Sequence, residues 1–248
     1  MKKNLLVLAF LVGLLTCCKS EDAPIKPVKP TDPGSINKEY MSRAETTFAN
    51  IFKYYWSDKV RMMFGSYPNT LGTPQEPSSP DYDSHAFLWG LGSVVSAFNA
   101  IVQNTDNVDF RMTYESRLKE TLLKYYNTTK EPMCFGCFVN PHDQRLYDDA
   151  IWVGIDLADL YSKTKDSWYL DYAKSVWNFV LSGKDDELGG GVYWDENAKD
   201  SKNTCSNAPA VVLALKLYQI TNDAAYLENG KDIYKWTKSK LQDPSDYL

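Results

Sequence analysis

Two stretches decide the fold. The first is Tyr169-Leu170-Asp171-Tyr172-Ala173-Lys174-Ser175-Val176-Trp177-Asn178-Phe179. The second, 57 residues on, is Tyr226-Leu227-Glu228-Asn229-Gly230-Lys231-Asp232-Ile233-Tyr234-Lys235-Trp236. Tyr, Leu, acid, Lys, aliphatic and aromatic positions coincide, and the match extends back through Tyr161 with Tyr218 and Thr164 with Thr221. Self-similarity at a fixed period marks a repeated supersecondary unit. Each copy is amphipathic with helical spacing and follows a more uniformly apolar helical run. The unit is therefore an αα-hairpin plus a long loop, too long for a tetratricopeptide repeat of about 34 residues.

Working outward, seven helices are predicted. Asp148–Lys163 and Cys205–Ile220 are apolar on most of their circumference, and so is His85–Val102. Between them lie amphipathic segments at Ile36–Tyr55, Asp109–Tyr126, Ser167–Leu181 and Ala224–Leu241, with Ser167 the expected N-cap of its helix. Alternation of buried and half-wet helices predicts two layers, inner and outer, closing into an α/α toroid; an open solenoid is the alternative. No alternating strand of five residues is evident, and Val192-Tyr193-Trp194 suits a short β-bridge. Residues 56–84, 127–147 and 182–204 form long loops, each leading into an inner helix. Long ordered loops in a compact domain usually carry function.

Composition excludes several classes. Of 248 residues, 14% are aromatic and 44% hydrophobic, too many for a disordered chain. A net charge of -5 argues against a nucleic-acid partner. At the N-terminus, Lys2 and Lys3 precede an apolar run, Leu5 to Leu15, too short to span a bilayer. Leu15-Thr16-Cys17-Cys18 resembles a bacterial lipoprotein signal, with residues 1–17 removed and Cys18 lipidated; cleavage before Cys17 or an ordinary secretory signal are the alternatives. Residues 18–34 then read as lipidated Cys and spacer. Lys19-Ser20-Glu21-Asp22 resembles the acidic export stretch of surface lipoproteins of the Bacteroidetes type, and four prolines between residues 23 and 34 favour an extended linker. The expectation is an outer-membrane lipoprotein, surface-exposed and monomeric, with residues 35–248 as the folded domain.

The chemistry concentrates at the head of one inner helix, Tyr147-Asp148-Asp149-Ala150-Ile151-Trp152. Burial raises a carboxyl's pKa, the helix N-terminus stabilises an anion, and two adjacent acids do not both ionise easily. One ionised and one protonated carboxyl is the equipment of a glycosidase, and neighbours on a helix suit the close spacing of a retaining enzyme. An ordinary acidic first turn is the bland alternative. The 57-residue offset places Cys205, Ser206 and Asn207 on the same cleft, with Asp83 and His85 before the first inner helix. Gly189-Gly190-Gly191 would let a loop approach closely, and Tyr193 and Trp194 offer flat faces to pyranose rings. Trp177, Phe179 and Trp236 read as packing residues. Cys134-Phe135-Gly136-Cys137, with His142 beyond, lacks a fourth zinc ligand; a disulfide suits an exported protein better, with Cys205 a competing partner.

Together with Gly189 to Trp194 and Lys202-Asn203-Thr204-Cys205-Ser206-Asn207-Ala208-Pro209, the Tyr147 to Trp152 motif resembles glycoside hydrolase family 76. The resemblance runs from about residue 36 to the end. It implies an (α/α)6 toroid of twelve helices, of which about seven are present, so that an open apolar edge and an incomplete cleft are expected. It implies α-1,6-mannanase activity, endo-acting and retaining, on the backbone of α-mannan. Asp148 would be the nucleophile and Asp149 the acid/base, with Tyr147, Trp152, Tyr193, Trp194, Asn207, Asp83 and His85 as substrate contacts. No cofactor and no metal are implied. The competing readings are a non-catalytic helical-repeat glycan-binding surface lipoprotein and a different α/α-toroid enzyme such as a lyase or inverting glucanase.

Overall fold

Thr105, Thr164 and Thr221 each accept a hydrogen bond from the backbone N–H two residues on, at Asn107, Asp166 and Asp223. Those three side chains in turn accept from the first turn of the next helix, at Phe110, Trp168 and Ala225 (2.9–3.1 Å). Each such motif stops one helix and starts the next within a few residues, satisfying N–H groups that the new helix cannot pair internally. Ser167 is thus the first helical residue and Asp166 the cap, because the shorter carboxylate turn already closes at Trp168.

The computed structural model describes residues 33–68, 85–139 and 144–245. Among these are seven α-helices: α1 Pro33–Tyr55, α2 Leu88–Asn104, α3 Val108–Tyr125, α4 Tyr147–Thr164, α5 Ser167–Ser182, α6 Thr204–Thr221 and α7 Ala224–Leu241. Residues 1–39 and 40–248 group as separate units, and of the first only residues 33–39, the opening of α1, are described. Helix α1 starts at Pro33, inside the expected linker, since a proline at the first helical position sacrifices no intrahelical bond.

Helices α2, α4 and α6 pack side by side as the inner layer, and α3, α5 and α7 return outside them. Helix α4 buries ten residues, and Gly154 lets its neighbours close in: a Cβ there would stand 2.9 Å from Val176 Cγ1 and 3.1 Å from Leu213 Cδ2. Phe48 and Phe52 of α1 meet Phe98, Phe110 and Tyr114 in an aromatic cluster, with ring centroids 4.6–6.0 Å apart. The expected packing roles hold: Trp177 and Phe179 are buried, and Trp236 nearly so.

The inner-helix heads are gathered by loops containing two-residue strands, too short to leave an alternating pattern. Strand β1 (Trp56–Ser57) pairs with β2 (Met62–Met63), and β3 (Tyr126–Asn127) pairs with β4 (Cys134–Phe135), both antiparallel. Val192 forms its bridge with Lys184, and Leu146 bridges Asp195. Ala86 N–H donates to the Met63 carbonyl, and Leu88 N–H to the Cys137 carbonyl (2.9 Å), so both hairpin loops fix the start of α2.

Candidate active site

The entry to α4 is built by two loops running antiparallel. Tyr147 N–H donates to the Trp194 carbonyl (3.0 Å), and Glu196 N–H donates to the Arg145 carbonyl (3.3 Å). Fully buried Arg145 forks onto Glu196 through Nε and Nη2 and donates from Nη1 to the carbonyls of Lys130 and Pro132. A planar guanidinium with five fixed donors suits such a junction. Lys202 does the same for the neighbouring loop. Its buried ammonium donates to Asp185 Oδ1 and to the carbonyls of Asp185, Glu187 and Gly190, beneath the Tyr193 ring.

On this platform the two aspartates face different surroundings. Asp148 accepts from the Trp194 indole N–H at Oδ2 and from the Asp149 backbone N–H at Oδ1, both at 3.1 Å. The Cys205 thiol hydrogen-bonds to it from the head of α6. Asp149 turns the other way. It hydrogen-bonds to Cys137 and lines a cavity of about 140 Å³ between α2 and α4 with Trp89 and Trp152. Burial first, then the neighbouring Asp148 charge, pushes the Asp149 carboxyl up to about 6. The pair is therefore an acceptor held by fixed N–H donors beside a carboxyl that keeps its proton into the weakly acidic range.

Several expected contacts take other roles. Tyr147 is buried, stacked on Phe179 at 4.3 Å, with the Gly183 backbone against its ring, so no sugar reaches it. Tyr193 is 3% exposed, covering Lys202 and hydrogen-bonding to Asp185. Asn207 is fully buried: its side chain accepts from Val192 N–H (2.7 Å) and donates to the carbonyls of Val192 and Asn203 (both 2.8 Å). The glycines approach a protein ring rather than a ligand. Gly191 has φ +77°, and any Cβ there would collide with the Trp236 indole, whose Nε1 donates to the Leu188 carbonyl. Trp152 and Trp194 remain open, at 42% and 37% exposure. His85 sits just ahead of α2, its imidazole pKa lowered by burial and by Lys124. Asp83 and His142 lie outside the described residues.

The cysteines also differ from expectation. Cys134, Cys137 and Cys205 are free thiols. Cys134 is enclosed near Arg145 and Glu196, whereas Cys137 turns to Asp149, so the two sulfurs of the motif engage different partners. Burial pushes both thiols up to about 12, which leaves them protonated. Sequence reading missed Trp89 because a tryptophan in an apolar helix reads as core; here it is 54% exposed.

The family model for glycosyl hydrolase family 76 matches residues 39–248. The chain belongs to this family. No curated protein matches the sequence. Among solved structures, a family 76 glycoside hydrolase from a bovine Bacteroides thetaiotaomicron strain is 31% identical, with a TM-score of 0.73 over 84% of this chain and 44% of its own. A family 76 mannosidase from Bacteroides thetaiotaomicron VPI-5482 is 26% identical, with a TM-score of 0.72 over 85% of this chain and 56% of its own. An α-1,6-mannanase of Salegentibacter sp. HEL1_6, 23% identical, shares the fold with a TM-score of 0.63 over 84% of this chain and 53% of its own. That structure is an inactive variant with two consecutive aspartates changed to asparagine, in complex with α-1,6-mannotriose. The chain spans about half the length of these family 76 structures. Its helices follow the α/α-toroid architecture of the family.

Proposed function

We propose that this chain carries the cleavage centre of an endo-acting, retaining α-1,6-mannanase, with Asp148 as nucleophile and Asp149 as acid/base. The observation that carries the reading is the division of environment within the pair. Asp149 holds a proton up to about pH 6 and faces a cavity; Asp148 accepts from N–H and S–H donors. In the first step Asp149 gives its proton to the glycosidic oxygen while Asp148 attacks the anomeric carbon, leaving a glycosyl ester on Asp148. In the second, Asp149 takes a proton from water, whose oxygen displaces Asp148 and restores the anomeric configuration. The double aspartate change in the inactive Salegentibacter mannanase supports placing catalysis on an adjacent pair.

The test is proton NMR of the first-formed product from debranched α-1,6-mannan. The α-anomer should appear first, with no hydrolysis by Asp148→Asn or Asp149→Asn. Initial β-product, or near-normal activity in either variant, contradicts the assignment. Mannan binding without hydrolysis by the native chain favours the glycan-binding alternative.

From the N-terminal sequence we further infer a monomer held at the cell surface by lipid on Cys18. Residues 1–32 lie outside the described ones, among which no helix is long and apolar enough to cross a membrane. Labelled palmitate should enter the native chain and not a Cys18→Ala variant.

A further inference from the structure

Cys137 and Trp194 stand 57 residues apart, the spacing of the repeat, and their backbone hydrogen bonds correspond. Cys137 N–H donates to the Gln144 carbonyl (2.9 Å), and Trp194 N–H donates to the Ser201 carbonyl (3.1 Å). The Cys137 carbonyl accepts from Leu88 N–H (2.9 Å) at the start of α2; the Trp194 carbonyl accepts from Tyr147 N–H (3.0 Å) at the start of α4. The two residues hold the same place in successive copies, each tied at both backbone groups. Their side chains meet the head of α4 from opposite sides. Trp194 reaches Asp148 with its indole N–H, and Cys137 reaches Asp149 with its thiol.

The thiol has one proton, and its direction is fixed. Leu146 N–H, at the entry to α4, donates to the sulfur, so the S–H is left to point at the Asp149 carboxyl. Cys137 is buried, and burial together with the Asp149 charge keeps the thiol protonated. It is a donor throughout the range in which Asp149 titrates. The cavity between α2 and α4 is lined by Asp149 and not by Cys137, so the cysteine stands behind the carboxyl. A carboxyl that accepts a hydrogen bond at its inner oxygen carries its own proton on the outer one.

Resting on the proposed role of Asp149 as acid/base, we infer that Cys137 is its positioning residue: the S–H holds the inner carboxyl oxygen, so the proton given to the glycosidic oxygen sits on the outer one. In the second step the water proton returns to that same outer oxygen. The thiol neither loses its proton nor touches the substrate. Cys137 does for the acid what Trp194 does for Asp148, one fixed donor to each carboxyl.

The sign of one measurement separates this from packing. An S–H bond favours the ionised carboxyl, so removing it raises the Asp149 midpoint; a smaller side chain that only admits water lowers it. The other groups that meet Asp149 are Asp148 on its own helix and, from α2, the non-titrating Trp89, Ser93 and Ser96. Carboxyl carbon-13 NMR titration should show the midpoint rising by ~0.5 pH units or more in Cys137→Ala and staying within ~0.3 in Cys137→Ser, which keeps a donor. On debranched α-1,6-mannan, kcat should fall ~10-fold in Cys137→Ala with KM unchanged, and serine should recover most of it. The native chain gives an independent reading if the variants do not fold. One infrared S–H band should move to lower wavenumber as Asp149 ionises through about pH 6, and should stay still in Asp149→Asn. An unchanged or lowered midpoint, or a still S–H band in the native chain, overturns the assignment and leaves the proposed function standing. A raised midpoint with unchanged kcat also overturns it. A raised midpoint in a chain whose native form hydrolyses no mannan keeps the contact but overturns its catalytic use along with the mechanism.

Discussion

At the head of α4 stand Asp148 and Asp149; 57 residues on, at the head of α6, stand Cys205 and Ser206, with Asn207 behind them. Both heads are entered from a long loop and both helices run 18 residues. The first presents carboxyls to a cleft. The second turns inward, and its Asn207 holds Val192 through both backbone groups. That clamp fixes the loop carrying Trp194, which donates to Asp148. In the proposed mechanism one copy of the repeat does the chemistry while the next copy aims it. Lower down the contrast is one of burial. Ile155 of α4 is 8% exposed, and its repeat equivalent Val212 of α6 is 43% exposed, beside Leu215 at 40%. Apart from Trp152, the apolar pattern is buried in α4, flanked by α2 and α6, and only partly buried in α6. Hydrophobicity specifies what a helix could bury; its neighbours decide what it does bury.

The comparison can be broken most strongly at Asn207. Asn207→Ala strands the two backbone groups of buried Val192, each costing ~1–3 kcal/mol, so a loss of at least ~2 kcal/mol is expected in urea unfolding. A loss under ~1 kcal/mol would mean the clamp does not hold the loop. Next, Ile155→Ala should cost ~2–4 kcal/mol against less than ~0.5 for Val212→Ala, measured in the same way. Equal costs would show that the two inner helices are buried alike.

The third prediction has the opposite sign. Asp149 is raised in the fold, so the stability it contributes is present below the unfolded carboxylate value of about 4 and lost as pH rises through about 6. Asp149→Asn should therefore stabilise the chain at pH 7.5 by up to ~3 kcal/mol, from about two pKa units, with the gain shrinking towards pH 4. A gain independent of pH would remove the carboxyl as its source. The smallest effect belongs to Trp194→Phe. The ring is part exposed, so stability should change by less than ~1 kcal/mol, while loss of one charge-assisted hydrogen bond should slow hydrolysis ~10-fold or more.

Much of this was legible in the sequence. All seven helices fall within three residues of their expected bounds, because apolar periodicity and the 57-residue repeat reflect packing directly. The aspartate pair stood out because two acids at the head of an apolar helix contradict that packing. The remainder depended on contacts distant in sequence. Gly189 to Gly191 looked like a ligand loop, yet Gly190 and Gly191 bend around Trp236, some 45 residues later. Tyr147 and Tyr193 looked like sugar platforms, yet Phe179 and Lys202 occupy their faces. Hairpins of two-residue strands carry too few positions to show a period, and a lone tryptophan such as Trp89 does not reveal whether it faces core or cleft.

The central claim is that two adjacent carboxyls hold different protonation states, and carboxyl carbon-13 NMR titration of the native chain measures it directly. The account predicts an aspartate at the head of α4, absent from the spectrum of Asp149→Asn, titrating near pH 6. Its midpoint should fall when Asp148 is replaced by asparagine, since part of the elevation comes from that neighbouring charge. No carboxyl of the pair titrating above about pH 5 would contradict the division of roles on which the proposed mechanism stands.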